Sequence, residues 1–129
     1  MPEHPNAELV RRGFDAFRRD PLALARLLAE DAVWRVPGRN RMTGEYRGRA
    51  EIFPFLRSTG DLTGGTYGTE LRWVVADDER AVALYRATGE REGRRLDIEQ
   101  LLLLCLRDGQ WAEITAVPLD PYAFDEFWA

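Results

Sequence analysis

The chain is nearly devoid of histidine and cysteine. Its one histidine, His4, lies close to the N-terminus, where a side chain is expected to be solvated. A histidine-based triad, a His–Asp dyad or a histidine-rich metal site is therefore not expected. Its one cysteine, Cys105, has no partner for an intramolecular disulfide, which fits a reducing cytoplasm. Long apolar runs are also missing. The longest, Leu101 to Leu106, is far too short to span a bilayer. No basic segment followed by an apolar run opens the chain, so no signal peptide is read. There is no excess of positive charge either: the net charge is −4, and acids are interleaved with the arginines. Nucleic acid is an unexpected partner for such a surface.

What is present suits one domain over residues 1–129, with 45% hydrophobic and 31% charged residues. Helical signals come first. Asn6 is a candidate cap, and Val10, Phe14 and Phe17 share one face of a helix over about Ala7–Arg19. Gly13 sits inside that helix at some cost. Asp20-Pro21 opens a second helix with Leu24, Leu27 and Leu28 as its apolar side. Ala32 to Val36 alternates as a short strand, and Pro37-Gly38 stops it. A third helix begins near Gly48 and buries Ile52, Phe53 and Leu56. Pro54 must lie near its first turn or kink it. From Thr66 a four-strand antiparallel meander turns at Asp77-Asp78-Glu79, Glu92-Gly93 and Asp108-Gly109. Asp120-Pro121 starts a C-terminal helix with Phe124, Phe127 and Trp128. Helices gathered at the front and strands at the back predict an α+β fold.

The hairpin turns predict a register. Glu92-Gly93 places Glu90 opposite Arg95, Arg86 opposite Glu99 and Tyr85 opposite Gln100, giving two cross-strand pairs of opposite charge. Asp108-Gly109 places Leu106 opposite Trp111, and an unbroken ladder then sets Leu104 against Glu113 and Leu102 against Thr115. One face becomes smooth and apolar, with Val82, Leu84, Leu101, Leu103, Cys105, Ala112, Ile114 and Ala116. The other mixes large apolar groups with Tyr85, Gln100, Glu113 and Thr115. A sheet apolar on both faces must cover both. The helices are expected over the mixed face, enclosing a pocket, and a second copy of the chain over the smooth one.

Four segments carry a family resemblance: VWRVPG (33–38), TGEYRG (43–48), RDGQW (107–111) and LDPYAFDEFW (119–128). Their order and spacing resemble the SnoaL-like polyketide cyclase group of the nuclear transport factor 2-like superfamily, which also holds ketosteroid isomerase. The resemblance covers nearly the whole chain. It implies a cone-shaped α+β barrel, with three helices against a bent sheet, an internal cavity and usually a homodimer. Cyclases of this kind use an aspartate at the end of the last strand, and Asp120 is near that place. Their histidine on the penultimate strand is missing, since Leu102 and Leu104 stand there. The scytalone dehydratase pattern also needs histidine. The epoxide hydrolase pattern needs an Arg-x-Asp that Arg86 and Thr88 do not supply, and Ala116 stands where its last-strand Asp would be.

Three groups of residues are candidates for chemistry. Glu113, among apolar neighbours, would have a raised pKa suited to a general acid or base; alternatively it pairs with an arginine or reaches the rim. Asp120 takes its acid–base role from the resemblance, while Asp before Pro is a complete helix cap by itself. Tyr85, Gln100 and Thr115 form a polar cluster that either binds a carbonyl or hydroxyl, with Tyr85 steadying an enolate, or is a satisfied buried network. Phe14, Phe17, Trp34, Tyr46, Phe53, Leu56 and Leu102 are expected as cavity wall or plain core. Tyr67 and Trp73 lie on a strand whose alternation breaks, which leaves their face open. The residues point to a cofactor-free protein holding a small hydrophobic molecule. Proton transfer next to a carbonyl is one use of such a pocket, and binding without chemistry is the other.

Overall fold

The computed structural model describes residues 3–129. Helix α1 (Pro5–Arg19) leads into a 3₁₀ segment (Pro21–Leu27), then strands β1 (Leu28–Val36) and β2 (Gly44–Arg47). Helix α2 (Gly48–Asp61) precedes β3 (Gly68–Ala76), β4 (Arg80–Arg91), β5 (Arg94–Arg107) and β6 (Gln110–Pro118), and helix α3 (Pro121–Phe127) follows. The α+β class is as expected. The strands form one curved six-stranded sheet in the order β2-β1-β6-β5-β4-β3. It has two free edges, β2 and β3, so it is not a closed barrel. Nor is it wholly antiparallel, because β1 and β6 run parallel.

The helix starts follow local capping chemistry. His4, not Asn6, caps α1: its Nδ1 accepts the Asn6 N–H at 3.0 Å, and its Nε2 lies 3.0 Å from Asp78 Oδ1. The lone histidine is therefore tied to the β3–β4 turn rather than merely solvated. Asp20 caps the 3₁₀ segment by accepting from Leu22 N–H, and Asp120 caps α3 by accepting from Ala123 N–H at 3.0 Å. In α2 the Glu51 carboxylate, one turn into the helix, accepts the otherwise free N–H of the N-cap residue Arg47 at 2.7 Å. Pro54 lies in the middle of α2 rather than in its first turn, so the helix forgoes the bond to the carbonyl of Ala50. Strand β2 is unforeseen: four residues on a sheet edge are too few to display alternation.

Both hairpin turns form where the sequence puts them. Glu92 and Gly93 have φ of 49° and 77°, and Asp108 and Gly109 have 54° and 73°, as a two-residue type I′ turn requires. The β4–β5 ladder matches its expected register throughout, including Tyr85 opposite Gln100 and Arg86 opposite Glu99. The β5–β6 ladder does not. It begins with Leu106 opposite Trp111, then shifts so that Cys105 faces Glu113 and Leu104 faces Ile114. Ala112 is the extra residue of a β-bulge. Because strand side chains alternate with period two, that single insertion reverses the face of everything after it. Ile114 and Ala116 turn inward and are buried, while Glu113 and Thr115 turn outward.

The core lies between the concave sheet face and the helices. Helix α1 packs over β3 and β4, α2 over β1, and α3 against β5. Fully buried Val10, Leu28, Ile52, Leu56, Leu96 and Ile114 anchor these contacts. The opposite face of the sheet is left uncovered, with Trp73, Val75 and Leu103 exposed on it. Among the described residues, no helix is long and apolar enough to cross a membrane.

Candidate functional site: an aromatic cavity with unpartnered polar atoms

Between α1, α2, α3 and the concave sheet lies a cavity of about 70 Å³. Nearly half of its lining residues are aromatic: Phe14 and Phe17 from α1, Trp34 from β1, Phe55 from α2, Tyr67 just before β3, Tyr85 from β4, Trp111 from β6, and Phe124 and Trp128 from the C-terminal end. Phe14 meets Tyr85 edge-on with centroids 5.1 Å apart, and Trp34 lies 5.7 Å from Phe55 and 6.4 Å from Trp111. Gly13 explains itself here. A Cβ at that position would sit 2.1 Å from Trp111 Cζ2, so only glycine lets α1 lie against the indole.

The polar groups of the wall are few and uncharged. Gln100 Nε2 donates to Tyr85 Oη at 2.9 Å, so the tyrosine's own proton remains to be donated. Burial holds the Tyr85 phenol well above its ordinary pKa; nearby Tyr67 adds to this and the Gln100 amide partly offsets it. Burial likewise pushes Tyr67 up to about 12, again moderated by Gln100. Both phenols therefore stay protonated at neutral pH. Among the described residues, four buried side-chain polar atoms have no hydrogen-bond partner, and three belong to residues lining this cavity: Thr69 Oγ1, Gln100 Oε1 and Trp111 Nε1. Gln100 is 2% exposed and Trp111 1%. Leaving such an atom unpaired costs about 1–3 kcal/mol.

Of the residues the sequence singled out, Tyr85, Gln100, Phe14, Phe17, Trp34, Leu56 and Leu102 line the cavity together. Tyr46 sits one layer behind, stacked on Phe55 at 4.3 Å, and its hydroxyl donates to the Met42 carbonyl. Phe53 is partly buried against the core without reaching the cavity. Glu113 does not reach it either. The bulge at Ala112 puts it on the outer face, half exposed and 3.1 Å from Arg35 Nη1. That hydrogen bond, with a second that Arg35 donates to Glu45, raises the Arg35 pKa. Thr115 is outward for the same reason, and Asp120 is an exposed cap. The lining contains no carboxylate, imidazole or guanidinium. Nor do the described residues gather three or more His, Cys, Asp or Glu side chains where they could share a metal ion.

The sequence reading missed Tyr67, Thr69, Thr59, Met42, Phe55 and the indoles of Trp111 and Trp128 as wall. Tyr67 and Thr69 were hidden by a second irregularity. The β3–β4 ladder shifts between Leu71 and Trp73, so inward positions are odd-numbered before Arg72 and even-numbered after it. With the break placed at Arg72, Thr69 and Val74 would both have been read as inward, and Trp73 as outward.

The sequence profile of the SnoaL-like domain matches residues 10–114. Uncharacterised protein Rv0034 of Mycobacterium tuberculosis is 32% identical over the full length of both chains. Bal32a, from a soil-derived mobile gene cassette, is 38% identical over 97% of each chain and superposes with a TM-score of 0.92. TerC, solved with polyporic acid, is 22% identical, covers 96% of this chain and 98% of its own, and superposes at 0.83. With more than half its length matched by the profile and its fold shared end to end, this chain belongs to the SnoaL-like domain family.

Proposed function

We propose that this protein binds a small, uncharged, largely aromatic molecule in the cavity and does not turn it over. The observation that carries this reading is the set of three unpartnered polar atoms in a largely apolar, uncharged wall. Such a wall with a few placed polar groups is the usual make-up of a small-molecule site. Proton transfer next to a carbonyl needs a base within hydrogen-bond reach of the substrate. The ionisable groups in this wall are tyrosines whose raised pKa makes them hydrogen-bond donors, not bases. A charged ligand is disfavoured, because no opposite charge in the lining would compensate its desolvation. TerC, which shares the fold, was crystallised with a small organic molecule.

Calorimetric titration with 2-naphthol tests the reading. Binding with a dissociation constant below about 1 mM, or better than about −4 kcal/mol, is expected. No detectable binding of 2-naphthol or of naphthalene would sink it.

We also propose that the outer sheet face pairs with a second copy of the chain. Exposed Trp73, Val75 and Leu103 lie there among half-buried Val82, Leu84 and Leu101. The face carries charges of both signs, in the Arg86–Asp97 and Arg35–Glu113 pairs. A two-fold arrangement can match these against themselves. Sedimentation as a monomer at micromolar concentration would refute the pairing.

A further inference from the structure

Tyr85 and Gln100 stand opposite each other on β4 and β5, and both side chains reach the cavity. Both residues are more than nine-tenths buried. The Gln100 amide nitrogen is engaged by Tyr85 Oη at 2.9 Å, while the amide oxygen Oε1 has no partner. The phenol oxygen accepts from that amide, so its proton is turned elsewhere. The pair thus leaves over one donor, the Tyr85 O–H, and one acceptor, Gln100 Oε1. Turning the amide over would only exchange the roles: the phenol would donate to Oε1, and the amide N–H and the phenol oxygen would be left over. Within an amide the oxygen lies about 2.3 Å from the nitrogen, so the spare acceptor is within about 5 Å of Tyr85 Oη.

We propose that the pair holds the edge of an aromatic lactam, a ring in which an amide N–H and its C=O lie side by side. This rests on the reading of the cavity as a binding site. The lactam N–H donates to Gln100 Oε1, and its carbonyl oxygen accepts from the Tyr85 hydroxyl. A hydroxyl next to a carbonyl carries the same two functions, but it closes a hydrogen bond on itself and offers less to the protein. The N–H and C=O of a lactam point outward together and cannot meet each other. Such a ring is flat and uncharged, as the wall requires. Phe14, edge-on to Tyr85 at 5.1 Å, and Leu102 are apolar wall for its body. Trp111 stands opposite Leu106, well along β5 from Gln100, and takes no part. Ordered water is the rival occupant, since about 70 Å³ exceeds the roughly 10–15 Å³ that one water needs.

The test titrates the full chain with 2-quinolone, coumarin and naphthalene. These share a bicyclic shape and offer the N–H with the C=O, the C=O alone, and neither. Each satisfied partner is expected to tighten binding about 2- to 10-fold, the range of a net hydrogen bond. The double variant Tyr85→Phe with Gln100→Leu removes the donor and the acceptor together. Replacing both partners of a buried pair by apolar groups of similar shape is nearly neutral for stability, so this variant should stay folded. In it the three affinities should come together. If 2-quinolone binds the unaltered protein no better than coumarin or naphthalene, water serves the pair and the lactam is refuted, while the binding site itself stands. If the lactam preference survives in the folded double variant, its assignment to Tyr85 and Gln100 is overturned. If none of the three binds, the binding-site reading fails and takes this one with it.

Discussion

Replacing Gly13 by alanine separates the cavity from the stability of the fold. The new Cβ would lie 2.1 Å from Trp111 Cζ2, 2.7 Å from Cη2 and 2.9 Å from Cε2. Carbon atoms rest about 3.5–4.0 Å apart, so the indole must retreat by about 1.5 Å. It is packed by Phe14 and Trp34, with centroids 6.3 Å and 6.4 Å away, and the open space beside it is the cavity. Two energies compete. Alanine in place of glycine inside a helix stabilises by about 1 kcal/mol. Overpacking a filled interior costs about 1–3 kcal/mol. The net loss of stability should thus stay below about 2 kcal/mol. Ligand affinity should suffer far more, because the displaced ring occupies the ligand's space: 2-naphthol binding should weaken by at least about tenfold, or about 1.4 kcal/mol. Urea unfolding measures the first quantity and calorimetric titration the second. Gly60→Ala in α2 is the control for the helix term. Its Cβ meets nothing within 4 Å, so it should gain up to about 1 kcal/mol. Unchanged 2-naphthol affinity in a folded Gly13→Ala protein would refute the placement of the Trp111 indole as cavity wall against α1.

Other expectations follow from the same geometry. Glu113→Gln should leave 2-naphthol binding unaltered and change stability by about 0–1 kcal/mol, the worth of an exposed ion pair, as read by titration and urea unfolding. A large loss of affinity would put Glu113 back among the binding groups. Asp120→Ala should remove the cap of α3 and cost about 0.5–2 kcal/mol in thermal or urea unfolding. Alkali should act through the buried phenols. Their folded pKa is raised above the unfolded value near 10, so their contribution is complete below about pH 10 and is lost as pH rises. For Tyr67 that window closes at about 12, and urea midpoints of Tyr67→Phe should fall less steeply across it than those of the unaltered protein.

The residues themselves announced much of this. Asp20-Pro21 and Asp120-Pro121 did become capped starts, and Glu92-Gly93 and Asp108-Gly109 did become tight turns, because caps and turns are decided by a few neighbouring residues. From one such turn the whole β4–β5 register followed, and with it the meeting of Tyr85 and Gln100. The aromatic wall was half visible for the same reason: Phe14, Phe17 and Trp34 lie on faces that local periodicity defines.

What the chain settled by itself is therefore its local alphabet: the two Asp-Pro caps, the tight turns and the α+β class. Only the tertiary structure decided which face of β6 is the pocket. The extra residue at Ala112 appears where β6 leaves β5's simple ladder, packs Trp111 inward against Gly13 and takes parallel β1 as its other neighbour. No pattern within the strand reports that. One inserted residue in a period-two chain exchanges Glu113 and Thr115 for Ile114 and Ala116, and so leaves Glu113 paired with Arg35 outside an uncharged pocket.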